Sequence, residues 1–511
     1  MMLTALALLP IVGGLVLALA PRGDWGRWFA VAVTGATLVL SLVVLARYDV
    51  DAGGMQLTEE RTWIEPMGVH YALGVDGLGL TLVLLTTVLT PFVVLAALRD
   101  RLPASEGASH GYLAWMLVLE GLAIGVFCAT DVFLFYVLFE ATLVPIYFLI
   151  GSYGAAGRGR AAIGFLVYNL VGGLVMLAAV VGLYVLSADA GEPSYLLSDL
   201  QGLDLGVWTE RLLFLGFFLA FAIKAPLWPL HTWLPDAAGA ATPATSVLMV
   251  SVIDKIGTFG MIRFCLGLFP GASEWASPVV MVLAVVSILY GALLAIGADD
   301  LRRLVALTSV SHFGFIVLGV FALTTTSMAG SVLYMLNHGL STAVLFLVTG
   351  IMIAQRGSAD VAAFGGVQRI APIMSGMLLV GGLSSLSLPG MAPFVSELLV
   401  IVGAFSREPV IGAIAALGIV LAAVYVLRLY RRTMTGPLSP DVGGMRDLGT
   451  REVAALSPFV VLIVALGFYP QPLLNVIEPA VDEVSHVVGV GDPEPRTPAP
   501  VAQAEPHEEG H

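Results

Sequence analysis

The sequence lacks most of what a water-facing surface is made of. Of its 511 residues only 12% are charged, while 58% are hydrophobic. A soluble domain carries about 25% charged residues, so a water-soluble fold is excluded. Cysteine is nearly absent. Cys128 and Cys265 both lie in apolar runs, with no metal-ligand spacing and no disulfide framework. No cluster-type cysteine series and no glycine fingerprint for a nucleotide occur, so neither metal nor cofactor is expected in this chain. The net charge is −13 and nothing basic is clustered, so no nucleic-acid partner is expected. Lysine is as scarce as cysteine: Lys224 and Lys255 are the only two, and the other Lys-or-Arg positions are all arginine.

What is present is apolar sequence in long runs. A membrane span needs roughly 20 mainly apolar residues. Fourteen such runs are expected, near 2–20, 28–47, 76–98, 111–129, 131–151, 161–187, 211–234, 241–269, 275–297, 303–325, 329–354, 372–403, 409–430 and 455–469. They predict an all-α integral membrane protein with contact to lipid. The first run ends in Ala-Leu-Ala like a signal peptide, but no Lys or Arg precedes it, so it is expected to stay as a helix. The longest polar connections are 48–75, 188–210 and 431–454. The tail from 490 to 511, rich in Pro, Glu and Ala, is expected to be disordered, with His507 and His511 solvated.

Arginine orients the chain. The odd-numbered connections and their helix ends hold Arg22, Arg27, Arg99, Arg101, Arg158, Arg160, Arg302, Arg303, Arg356, Arg369, Arg428, Arg431, Arg432, Arg446 and Arg451. The other side has Arg47, Arg61, Arg211, Arg263, Arg407 and Arg496. By the positive-inside rule both termini are expected on the non-cytoplasmic side.

Both lysines sit in the middle of apolar spans, the seventh and eighth. A charge at the bilayer centre costs at least about 2.5–3.5 kcal/mol, so such residues face a bundle interior and mark function. Arginine stays protonated under nearly any condition, whereas a buried lysine readily changes its proton affinity. A lysine at this depth can be loaded and unloaded with a proton.

Two spans are broken. Pro226 and Pro229 follow Lys224, and they are expected to free the carbonyls of Ala222 and Ala225. Pro389, Gly390 and Pro393 interrupt the twelfth span just before Glu397. Paired broken spans with ionisable residues beside them point to internal repeats with ion sites at the breaks. The expected units are residues 111–269 and 275–430, five spans each. An odd span number makes them inverted. Residues 1–98 precede them and the run 455–469 follows. Glu140, His312 and His338 also lie inside spans, and histidine titrates near neutral pH. Glu120 is buried as well, as a relay group or a hydrogen-bonded acid. Asp254 adjoins Lys255 but faces another side of the helix, so the two are not paired.

These residues fall within specific motifs: Gly74-Val-Asp-Gly-Leu78, Phe139-Glu-Ala-Thr-Leu-Val-Pro145, Asp300-Leu-Arg-Arg-Leu304, Ser311-His312 and Asn337-His338-Gly339. The most specific is Lys224-Ala-Pro-Leu-Trp-Pro-Leu-His-Thr-Trp-Leu-Pro-Asp236. Together they resemble the antiporter-like subunits of respiratory complex I, the proton-translocating NADH:quinone oxidoreductase, over spans 3 to 13. The resemblance implies that Glu140 pairs with Lys224, that Lys255 is the central lysine, and that His312 and His338 relay protons toward the second broken helix. Related subunits carry lysine in that helix; Glu397 matches the M-type branch. The family often has Thr-Gly after the central lysine. Here Ile256-Gly257 follows, so water is expected in place of that hydroxyl. The resemblance also implies that NADH, FMN, iron–sulfur clusters and quinone are handled elsewhere in the complex. The partners it implies are other membrane subunits, with an antiporter-like subunit on each side, in a bacterial plasma membrane. A subunit of a multisubunit cation/proton antiporter or of a membrane-bound hydrogenase is the alternative.

Overall fold

The computed structural model describes residues 1–98, 100, 102 and 108–493. Its helices run in chain order as α1 (Met2–Leu19), α2 (Trp25–Arg47), α3 (Gly77–Ala97), α4 (Ala108–Cys128), α5 (Val132–Ala141), α6 (Leu143–Tyr153), α7 (Arg158–Ala190) and α8 (Leu197–Leu200). Then come α9 (Val207–Lys224), α10 (Trp233–Ala240), α11 (Pro243–Val247), α12 (Lys255–Gly260), α13 (Pro270–Gly297), α14 (Leu301–Phe321) and α15 (Thr325–Arg356). The last are α16 (Pro372–Ser385), α17 (Ala392–Arg407), α18 (Pro409–Thr433), α19 (Thr450–Phe468) and α20 (Gln471–Val488).

Among the described residues, 12 helices are long and apolar enough to cross a membrane. A thirteenth is counted if Val361–Arg369 and Pro372–Ser385, bent by 116°, form one span. The other expected spans are the two with proline breaks, now seen as the pairs α9/α10 and α16/α17.

Burial sorts the spans. Pro243–Leu266 and α14 are 100% buried and α15 is 89% buried, against 33% for α2 and α18. The helices that carry Lys255, His312 and His338 are therefore the enclosed ones. Polar side chains at membrane depth belong there, because lipid offers them no partner. Small residues let these helices close on one another. A Cβ on Gly314 would stand 2.7 Å from the carbonyl oxygen of Ala284, so α13 and α14 meet backbone to backbone.

Three features depart from the sequence expectations. The connection 48–75 is not merely a polar loop. It contains an antiparallel hairpin, β1 (Gln56–Ile64) and β2 (Val69–Val75). The amide of His70 donates to Asp131, which also caps α5 through the amide of Leu134 at 2.8 Å. Second, α20 follows the last span as an amphipathic helix. It buries Leu474, Ile477, Ala480 and Val481, and lays the carbonyl of Val476 over Gly77. Third, residues 490–493, the start of the tail expected to be disordered, are placed against the helices. Asp492 accepts hydrogen bonds from Thr325 and Thr326 at the start of α15. Residues 494–511, with His507 and His511, lie outside the described residues.

Candidate proton-conducting site

Each helix break is made differently from the simple proline expectation. After Lys224 the backbone leaves the helix at Ala225 (φ −88°, ψ 56°). The carbonyl of Ala222 is not free: it accepts the amide of Leu227 at 3.0 Å. The carbonyl of Ile223 is taken by the indole of Trp233 at 3.0 Å. Leu227 and Trp233 of the Lys224–Asp236 motif thus re-satisfy the backbone that the break opens. The far end of the motif is tied too, because Arg303 donates to Asp236 at 2.7 Å. Arg303 belongs to the Asp300-Leu-Arg-Arg motif, where Asp300 caps α14.

At the second break, Ser387 adopts a left-handed backbone (φ 56°) and Gly390 another (φ 91°). A left-handed non-glycine residue costs about 1–3 kcal/mol and persists where its surroundings fix it. Here the hydroxyl of Ser387 donates to Oε2 of Glu397. Asn337 donates to the carbonyl of Ala392 at 2.8 Å and holds the start of α17 against α15.

Lys255 begins α12, which lies between two π-helical turns, Leu248–Ile253 and Met261–Leu266. Such turns shift the register of a helix face and recur at functional sites. The Nζ of Lys255 donates to the carbonyl of Val250 at 3.0 Å and stands 2.6 Å from Nδ1 of His338. It also sits 4.3 Å above the Phe313 ring.

The line continues on α14, α15 and α17. The rings of His338 and His312 lie 5.2 Å apart. Nδ1 of His312 is 2.7 Å from the hydroxyl of Tyr334, and Tyr334 donates to Oε2 of Glu397 at 2.8 Å. Ser385 lies 3.1 Å from Nε2 of His312. Tyr334 was not a sequence candidate. It is uncharged and stands in an apolar run; its only signal is a position one turn before His338.

Glu140 and Lys224 form a second cluster. Lys224 is 0% exposed and Glu140 is half-buried. Among the described residues no ion pair at contact distance joins the two. Instead Nζ of Lys224 reaches Thr142 at 3.3 Å and sits 4.5 Å above the Phe139 ring. Oε1 of Glu140 has no hydrogen-bond partner. Its carboxylate lies directly against Gly173 of α7, where a Cβ would collide with it. The two charges interact through space, with the Thr142 hydroxyl as the lysine's near contact. Glu120, buried beside Thr90, stands apart from both clusters. Among the described residues no group of three or more His, Cys, Asp or Glu is placed to hold a metal ion. Asp76, in the Gly74–Leu78 motif, is structural. It caps α3 through Gly79 and pairs with Arg263 at 2.6 Å.

The arrangement can therefore pass protons between buried groups: a lysine on an imidazole, a second imidazole on a phenol, and a phenol on a carboxylate. Known proteins share this frame. Residues 129–422 match the family described as NADH:quinone oxidoreductase/Mrp antiporter, transmembrane. The NADH-quinone oxidoreductase subunit M of Mycobacterium tuberculosis is 46% identical over 536 aligned positions, covering 98% of this chain and 96% of that one. A chain of respiratory complex I from Thermus thermophilus with bound NADH superposes with a TM-score of 0.88 at 31% identity, covering 95% of this chain and 100% of that one. A chain of the Mrp complex from Dietzia has the same fold, with a TM-score of 0.82 at 20% identity and coverage of 95% and 98%.

Proposed function

Because the chain belongs to the NADH:quinone oxidoreductase/Mrp antiporter transmembrane family, we propose that it is the M-type, proton-translocating membrane subunit of an NADH:quinone oxidoreductase. The observation that carries this reading is the hydrogen-bonded series Lys255–His338 and His312–Tyr334–Glu397, set in the most enclosed helices. Electron transfer takes place in other subunits, which hold the NADH, FMN, iron–sulfur and quinone sites. This chain moves protons in response. Its neighbours are other membrane subunits, with an antiporter-like subunit on each side, and lipid. Both termini face the non-cytoplasmic side, and the two five-span units are inverted repeats. Glu397 in the second break, where related subunits carry lysine, favours this reading over a cation/proton antiporter.

The working cycle uses Glu140 and Lys224 as the control pair. With the carboxylate close, Lys224 holds its proton. When the carboxylate moves away, the buried ammonium loses its stabilisation and releases the proton toward Lys255. His338, His312 and Tyr334 then carry it to Glu397. Moving one charge across 100 mV costs about 2.3 kcal/mol, and one pKa unit is about 1.4 kcal/mol. A swing of about two units covers that load.

The test is Lys224→Ala and Glu140→Ala in the assembled complex, reading protons moved per NADH oxidised. Both are expected to lower the ratio while electron transfer continues. An unchanged ratio in both would leave the chain as a structural spacer.

A further inference from the structure

Asp254 is completely buried, and neither of its carboxylate oxygens has a hydrogen-bond partner. An isolated carboxylate there would be very costly, so its charge must be offset or neutralised. Its electrostatic partners are the two lysines, Lys255 and Lys224.

The helix face explains how one acid meets both. A Cβ on Gly257 would stand 2.6 Å from the amide nitrogen of Ala225 and 2.6 Å from the carbonyl oxygen of Phe221. A Cβ on Gly260 would run into the Phe221 ring. So this side of α12 rests on the end of α9, at the break that follows Lys224. Asp254 precedes Gly257 by three residues and shares that face. Lys255 is the next residue and is turned by about 100° around the helix. It points to His338 and Phe313 instead. Two adjacent residues thus leave the helix in two directions, the acid from the side that rests on the break after Lys224 and the amine toward the first histidine.

We propose that Asp254 is a proton station between Lys224 and Lys255. This rests on the relay reading above and joins its two clusters. Two ammonium groups repel each other, and a carboxylate between them removes that barrier. In the first step the proton leaves the Lys224 ammonium and binds the Asp254 carboxylate, giving an amine and a carboxylic acid. In the second the acid gives it to the Lys255 amine, and the carboxylate is restored. No electron moves and no co-reactant is needed.

The experiment uses the whole complex in proteoliposomes with three variants, Asp254→Asn, Asp254→Glu and Lys224→Ala. Asp254→Asn is expected to lower the protons per NADH to the level of Lys224→Ala, while Asp254→Glu keeps most of them. The turnover-induced infrared difference spectrum is expected to show the carbonyl band of a transiently protonated carboxylic acid. That band should shift in Asp254→Glu and be missing in Asp254→Asn. A static counter-ion would give no such band. Normal pumping in Asp254→Asn together with a failing Lys224→Ala removes Asp254 from the path and leaves the relay standing. Normal pumping in both removes the relay itself. If Asp254→Asn does not assemble, the Asp254→Glu band decides: its absence overturns the proposal.

Discussion

The hydroxyl of Tyr334 donates to Oε2 of Glu397 across 2.8 Å, with both side chains sealed from solvent. The Tyr334 hydroxyl oxygen also lies 2.7 Å from Nδ1 of His312, so it joins an imidazole to a carboxylate without a break. Tyr334→Phe keeps the ring and removes the bridge. Unsatisfied buried partners cost about 1–3 kcal/mol, so a modest loss of stability is expected. The larger effect falls on proton transfer, where a positioned acid–base group is worth about 10²–10⁴-fold. Pumping should fall with quinone reduction intact. A normal proton ratio in a stably assembled Tyr334→Phe complex would show that the phenol only packs.

Lys255→Arg tests whether charge or proton release matters. The guanidinium keeps the positive charge beside His338 but does not give up its proton at any physiological pH. Assembly is expected to survive and proton translocation to stop. Translocation at the normal ratio would mean that Lys255 acts as a fixed charge.

Gly173→Ala probes Glu140 without touching it. The added methyl would meet the Glu140 carboxylate, which has to move. Overpacking costs about 1–3 kcal/mol, while alanine for glycine in a helix returns up to about 1 kcal/mol. A small net drop in melting temperature is expected, with a clear loss of coupling. Unaltered coupling would place the control charge elsewhere than Glu140.

Asp492 gives a pH test outside the spans. Burial alone would raise its carboxyl, but the hydroxyls and amides of Thr325 and Thr326 outweigh this and hold it below the usual aspartate value. A lowered folded value means that the contact stabilises fully above the ordinary range near about 4 and is lost as pH falls through the lower folded value. Amide exchange at Thr326, corrected for its intrinsic rate, should therefore stay slow to below pH 4 and then rise. Asp492→Asn should flatten that dependence. The same curve in both proteins would exclude Asp492 as the titrating group.

The sequence made the spans, both breaks and the two lysines legible, because hydropathy, proline and buried charge each leave a direct mark. It hid what depends on shape. The hairpin 56–75 has a polar first strand with three consecutive charges, Glu59-Glu60-Arg61, and a short second one, and was passed over in a search for long apolar runs. The amphipathic α20 was lost the same way, since Glu478, Asp482 and Glu483 dilute its apolar face. Asp254 was set on a different face from Lys255 and left unpaired with it, yet Lys255 is its first electrostatic partner. Its neighbour across that face, however, depends on two π-turns and two glycines that fix the rotation of α12. Tyr334 carries no charge, so nothing singled it out until its oxygen was seen between two titratable groups.

The seclusion of both lysines has a practical side. Lys224 and Lys255 are each 0% exposed, and the chain has no other lysine. Amine-acylating reagents will find no lysine on its folded surface, only the terminal amine. Cross-linking maps built on lysine will therefore be blank over this subunit. For the same reason, any acyl adduct recovered on Lys224 or Lys255 during turnover is a direct count of how often the interior opens to water.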